Sequence, residues 1–189
     1  FNLVKIIIPL FYFPPFKGVG AQRWYNLALN LSEKYDVEVW TVFRNGIENV
    51  YLRNINLKIK KWYFLYFLYE YRFKNKYIQL FFRRIISYFT SFVCSIDYSQ
   101  FWFYFIKNDL INEVNNNSLF ILTGAPFSVQ SRIFNLLDNL SYNKFILDFR
   151  DPWTTDPFYQ KTGNLLEKNI VLESRMINHE FSKKVFVTR

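Results

Sequence analysis

Leu3–Pro9 is an almost unbroken apolar run, followed by a proline and glycine loop, a helical pattern and a second apolar run. A strand that is apolar on both faces must be covered on both faces, as in parallel sheets. Pro14-Pro15 and Gly18-Val19-Gly20 mark the loop. Ala21–Lys34 carries Trp24, Leu27, Ala28 and Leu31 at helical spacing, and Val37–Phe43 is the second strand. Strand, glycine loop, helix, strand is a βαβ opening. The expected fold class is therefore α/β, a Rossmann-like parallel sheet flanked by helices.

The remaining pattern continues the alternation. Leu57–Trp62, Leu119–Thr123, Lys144–Phe149 and Lys184–Thr188 read as strands. Tyr63 to about Ser95, Tyr98–Val114, Ser128–Leu140 and Leu165–Phe181 read as helices. The 189 residues suit one domain, 1–189, with a basic aromatic helical insertion at about 62–115. No internal repeat and no Gly/Ser linker is visible. The chain opens without Met, which leads us to expect a piece of a longer protein. The one cysteine, Cys94, excludes an internal disulfide and fits a reducing compartment. With one His beside it, a zinc site or a Cys–His nucleophile pair lacks its residues, and no metal site is expected. Ile85–Ile106 is long enough to span a bilayer, but Ser87, Thr90, Ser91, Ser95, Asp97 and Gln100 interrupt it. Phe1–Phe13 imitates a signal sequence's apolar stretch, but lacks its basic flank and its cleavage site, and reads as a strand.

The charge of +9 is concentrated. Between Arg53 and Arg84 nine basic residues face Glu70 alone, a net +8. Such a block points to an anionic partner at that place, not to a generally basic protein. Aromatics make up 22% of the chain, and eleven lie between Trp62 and Phe82, more than one helix can turn toward one small core. Arg72, Lys76, Gln79, Arg83, Ser87, Thr90 and Cys94 form one helical stripe with apolar residues beside it. Trp62, Arg72, Lys76 and Arg83 are the candidate contacts to an anionic membrane surface. An aromatic core helix with a solvated basic stripe is the plainer alternative. Nucleic acid is the rival anion and is not expected.

Three loops follow strands, where ligands sit in open parallel sheets. Gly18 and Gly20 let the backbone approach a ligand, although a tight turn alone also explains them. The third glycine of a dinucleotide fingerprint is replaced by Arg23, and no acidic residue closes the second strand. In Thr123-Gly-Ala-Pro-Phe-Ser128, Gly124 allows a sharp exit and Ser128 can cap the next helix, which explains that loop about as well as ligand contact does. Asp148-Phe-Arg-Asp-Pro-Trp153 offers Asp151 as a base and Arg150 as an anion clamp; an ion-pair network fixing the loop explains it equally. His179 lies late in a polar helix and reads as a solvated histidine.

Taken in order, these segments resemble the N-terminal domain of the family 4 glycosyltransferases. The resemblance runs from Phe13-Pro-Pro and Gly18-Val-Gly-Ala-Gln-Arg23 through Asn26-Leu-Ala, Leu31, Asp97 with Trp102, and Thr123-Gly-Ala-Pro-Phe-Ser128. Its most specific piece is Asp148-Phe-Arg-Asp-Pro-Trp153, followed by Glu173. It implies a GT-B fold, two Rossmann-like domains across a cleft, with this half receiving the acceptor. Gly18, Gly20, Arg23, Gly124, Ser128, Asp148 and Arg150 are then substrate-binding candidates, and Asp151 the catalytic one. It further implies a metal-independent transfer that retains anomeric configuration. The nucleotide sugar is a co-substrate, with no resident cofactor, and the donor domain with its paired glutamates is missing from this chain. Phe127 stands where relatives often carry histidine, so no role of that histidine transfers.

The expected function is transfer of a sugar to a lipid-linked or glycan acceptor in cell-surface polysaccharide synthesis. The expected location is cytoplasmic, peripheral to the inner face of the membrane. An oxidoreductase or epimerase fragment of Rossmann type, and a non-catalytic membrane-peripheral interaction domain, are the alternatives.

Overall fold

The computed structural model describes residues 4–42, 57–62, 77–78, 80–81, 84–85, 98–123, 126–149, 164–179 and 183–186. Six strands form one sheet: β1 (Lys5–Pro9), β2 (Asp36–Val42), β3 (Lys58–Trp62), β4 (Leu119–Thr123), β5 (Phe145–Phe149) and β6 (Lys183–Phe186). Every neighbouring pair is parallel, in the order β3-β2-β1-β4-β5-β6. Helices α1 (Val19–Ser32), α2 (Trp102–Asn115), α3 (Phe127–Asn139) and α4 (Asn164–Asn178) accompany it, and a 3-10 turn, Tyr98–Phe101, leads into α2. This is the expected Rossmann-like α/β architecture. Strand order reverses between β1 and β4: the chain first builds outward through β2 and β3, then returns to β1's other side.

Two cores explain why the central strands β1, β4 and β5 are apolar along most of their length. Side chains alternate across a strand. Ile7, Trp40, Val42, Phe120, Leu122, Phe145 and Leu147 therefore enter one core, with Trp102, Ile106 and Leu110 of α2, Ile133 and Phe134 of α3, and Met176 of α4. Ile6, Ile8, Val37, Val39 and Ile121 enter the other, with Trp24 and Ala28 of α1. The buried residues of α1 are Ala21, Trp24 and Ala28, spaced by three and four. Leu27, expected in that stripe, is exposed, because the helix turns Ala21 rather than Leu27 toward the sheet. Small residues at 21 and 28 let the helix approach the sheet closely around Trp24.

Helix α2 falls inside the segment expected to be an insertion, yet Trp102, Ile106 and Leu110 are fully buried on the sheet. Trp62 is corrected likewise. It ends β3, is half-buried, and packs on Trp40 at 5.2 Å and Trp102 at 6.2 Å between ring centroids. Lys60 lies over both Trp40 and Trp62, 5.1 and 5.0 Å from their centroids, and pairs with Asp109 at 2.8 Å. Trp62 therefore packs in the fold's aromatic cluster. Among the basic positions nominated with it, Arg72, Lys76 and Arg83 lie outside the described residues.

Charged groups tie the amino ends of the strands. Lys5 opens β1 and binds Glu113 of α2 at 2.5 Å and Glu38 of β2 at 3.1 Å. Ser118 donates to the other oxygen of Glu113 at 2.6 Å, and the Tyr142 hydroxyl donates to the Ser118 carbonyl. Burial, the largest single influence, would raise the Glu113 carboxyl, but hydrogen bonds from Lys5 and Ser118 together with the charges of Lys5 and Lys60 hold it below its ordinary value of 4.5. A carboxyl lowered by folding stabilises above its unfolded value, and that contribution is lost as pH falls through the folded one. Acidification below about pH 4.5 should therefore depress the melting temperature of the wild-type chain more steeply than that of Glu113→Gln. Parallel melting curves for the two proteins from pH 6 to about pH 3 would show the tie to be worthless.

Candidate functional site

Parallel strands deliver their carboxyl ends to one rim, and the order reversal between β1 and β4 opens a crevice there. A narrow depression at that place is lined by Pro9, Phe11, Leu122, Thr123, Pro126 and Val129. The loop leaving β1 is pinned from both sides: Phe11 enters the α2–α3 core and Phe13 the α1 core. Phe16 then turns back, its N–H donating to the Phe13 carbonyl at 3.1 Å, and its ring stacks on Tyr12 at 4.7 Å. The Pro14-Pro15 bond within this turn is cis.

Gly18 is the N-cap of α1, and Gly20 lies in the first turn. A Cβ on Gly18 would meet Cε1 of Phe16 at 2.7 Å, so this glycine lets the Phe16 ring close over the loop. Its backbone is extended, with φ of −102°. The glycine makes room for the Phe16 ring and serves no unusual turn.

Arg23 projects from α1 and reaches across β4 to Asp148 on β5. Its guanidinium donates to Asp148 Oδ1 at 3.2 Å, while Thr123 Oγ1 donates to Oδ2 at 2.9 Å. Thr123 and Asp148 stand opposite each other in the β4–β5 register. Asp148 is 3% exposed. A carboxylate that buried requires charge and hydrogen-bond compensation, and each oxygen here has a donor. Arg23 is only about one-third exposed and its guanidinium lies 5.8 Å from the Trp24 ring, which restricts its rotation. One tie thus joins the first loop's helix, the end of β4 and the end of β5.

Of the residues nominated from sequence, Gly18, Gly20, Arg23 and Asp148 fall at this rim. Gly124, Arg150 and Asp151 lie outside the described residues. Ser128 is corrected as a helix cap: α3 is capped by Pro126 in extended conformation, and Ser128 stands inside its first turn. Its hydroxyl is 2.9 Å from that of Ser99, and both residues are buried. Ser128 therefore joins α3 to the 3-10 turn. Thr123 carries no functional signal of its own in the sequence. Only the pairing register of two parallel strands brings it beside Asp148.

His179 departs from the solvated reading. Its side chain is 14% exposed, its Nε2 lies 3.0 Å from Asp138, and its ring meets Phe134 and Phe145 edge-on or tilted at 5.3 and 5.4 Å. Arg175 binds the other oxygen of Asp138. This cluster borders a depression of about 330 Å³, beside Tyr142 and Asn143. It precedes β5 and β6, at the end of the sheet opposite the crevice. Glu173 of α4 is likewise buried, at 4%. Among the described residues, no group of three or more His, Cys, Asp or Glu is placed to hold a metal ion. No described helix is long and apolar enough to cross a membrane.

Comparison with protein-family models, with curated proteins and with solved structures finds no match to this chain. Fold and rim define a Rossmann-like α/β domain with a switch-point crevice braced by an Arg–Asp–Thr tie.

Removing one partner of a buried pair leaves an uncompensated charge, a loss of about 3–5 kcal/mol for fully buried pairs. Solvent beside Arg23 discounts that figure. Arg23→Ala should destabilise the domain by roughly 1–3 kcal/mol in urea denaturation. Adding Asp148→Asn should restore part of the loss, since the stranded charge is gone. A double variant as unstable as the sum of the singles would contradict the tie.

Proposed function

We propose that this chain provides the acceptor-side domain of a metal-independent, retaining sugar transferase of the GT-B type. In this reading it serves transfer from a nucleotide sugar to a lipid-linked or glycan acceptor at the inner face of the membrane, in cell-surface polysaccharide synthesis. The observation that carries the reading is the Arg23–Asp148–Thr123 tie. It joins, at the crevice, three of the segments whose ordered residues resemble the family 4 glycosyltransferases.

The chemistry assigns the roles. An acceptor hydroxyl bonds to the anomeric carbon as the bond from that carbon to the nucleotide's phosphate oxygen breaks. The electron pair leaves with the nucleoside diphosphate, and the hydroxyl proton must find a base. Asp148 is poorly suited to take it, because Arg23 and Thr123 already donate to its two oxygens. It acts as a positioning group, holding Arg23 at the rim. Asp151 is the proposed base and Arg150 the proposed clamp on an anionic group of the substrate. A dinucleotide-dependent oxidoreductase is less well supported. The fingerprint wants glycine where Arg23 stands, for close packing of helix on strand, and here that side chain is committed to Asp148.

Two measurements test the reading. The purified chain 1–189 should fold and yet transfer no labelled sugar, since the donor would be held by the facing domain; ordinary turnover by it alone would overturn the assignment of halves. In a protein that carries this domain and transfers sugar, Asp151→Asn should lower kcat by about 10²–10⁴, the usual worth of a general base. Its melting temperature should barely move. Loss of stability with full activity recovered on cooling would make the Asp151 loop structural.

A further inference from the structure

Among the described residues, Arg132 of α3 is held by neutral groups alone. Its Nη2 donates to Gln100 Oε1 at 2.7 Å and its Nη1 to the Tyr104 hydroxyl at 3.0 Å. Its guanidinium carbon lies 5.4 Å from the Tyr104 ring centroid. Gln100 is 2% exposed, so its amide oxygen is a fixed acceptor. The Ser99–Ser128 hydroxyl contact, at 2.9 Å, ties the same 3-10 turn to α3 one turn earlier. Fixing an arginine forfeits rotamer freedom, a cost that a carboxylate partner commonly offsets. Here the acids of α2 and α3 are engaged elsewhere. Asp109 binds Lys60, Glu113 binds Lys5, and Asp138 binds Arg175 and His179.

We infer that Arg132 and Tyr104, braced by Gln100, form a binding site for a phosphate group in the groove between α2 and α3. A guanidinium carries more N–H groups than these two bonds use, so donors remain for a third partner. The Tyr104 oxygen accepts from Arg132, which leaves its own proton to be donated outward, where Tyr104 is 57% exposed. Lys107, exposed and one helical turn on from Tyr104, adds positive charge on that flank. A tetrahedral oxyanion accepts from donors converging from several directions, whereas a planar carboxylate takes them in one plane. Helix α2 ends before β4 begins and α3 starts after β4 ends, so both helices begin at the crevice end of the sheet. Tyr104 and Arg132 lie in their first two turns, which places the phosphate on the shoulder of the crevice. No sugar-transfer step is needed for this binding.

Titration of chain 1–189 with inorganic phosphate, followed by phosphorus NMR, tests the site. Binding should saturate, and acetate at equal ionic strength should not compete. Arg132→Gln should weaken binding about tenfold or more, through loss of charge-assisted hydrogen bonds. Tyr104→Phe should weaken it about threefold, since one donor goes while the ring stays. Arg132→Gln strands the buried Gln100 oxygen and should melt somewhat lower. Tyr104→Phe removes only an exposed hydroxyl and should melt as wild type does. Flotation with phosphatidylcholine vesicles carrying phosphatidic acid separates the two sources of phosphate. Retention that inorganic phosphate competes away and Arg132→Gln abolishes would assign a lipid headgroup. Saturable phosphate binding without retention would assign a soluble ligand. Phosphate binding unchanged in both variants, equal affinity for acetate, or no Arg132-dependent binding in either arm would overturn the site.

Discussion

Ile7 of β1 enters one core while Ile6 and Ile8 enter the other, so neither face of that strand meets water. Two-sided burial is what the rest of the molecule depends on. It requires α1 on one face and α2, α3 and α4 on the other, and helical crossovers of this kind suit a sheet whose neighbours are all parallel. Parallel pairing with β1 near the centre obliges the chain to build first to one side and then to the other. The reversal leaves the loops after β1 and β4 diverging, and the crevice lies between them. The site's position thus follows from the burial of isoleucines that touch no ligand.

The rim adds a second demand. Aspartate at the end of β5 is out of water, and an ionised carboxylate there is tolerable only with donors on its oxygens. Thr123 supplies one from the adjacent strand, and Arg23 supplies the other from a helix on the far side of the reversal. Arg23 is held as a consequence, its cation set beside the glycine turn that opens α1. Local packing cooperates, because Phe16 closes over Gly18 and stacks on Tyr12. Loop shape here comes from aromatic contact as much as from hydrogen bonding.

Much of this was legible in one dimension. All six strands were legible to within a residue or two, most clearly β1, β4 and β5, where burial on both faces leaves little room for polar interruption. Helix faces were less legible: Leu27 has the right period for α1's core but loses its place to Ala21, since close approach favours the smaller residue. Ser128 is a good capping residue by type, yet Pro126 starts α3 earlier and turns Ser128 toward Ser99. Trp62 suggested an interface by its neighbours in sequence, but β3 pairing in register with β2 sets it beside Trp40 and so in the aromatic cluster. His179 sat among polar neighbours in the chain, whereas its contacts in space are two phenylalanines and a carboxylate distant in sequence. Each departure has one source. Partners brought together by strand order and register are not encoded in any local pattern.

The ionic ties at the two ends of the sheet differ in kind. At the amino ends, Lys5 gathers Glu38 and Glu113, Ser118 and Tyr142 extend the network, and Asp138 binds both Arg175 and His179. At the carboxyl ends, the described ionic tie within the crevice is the one through Asp148. A scaffold anchored at one end can change the other cheaply. Loops at the crevice can lengthen, shorten or exchange residues while the anchorage, and with it the folded state, is left alone. Diversification of specificity on such a frame must still keep Asp148 neutralised, which makes that carboxylate a toll on every new rim.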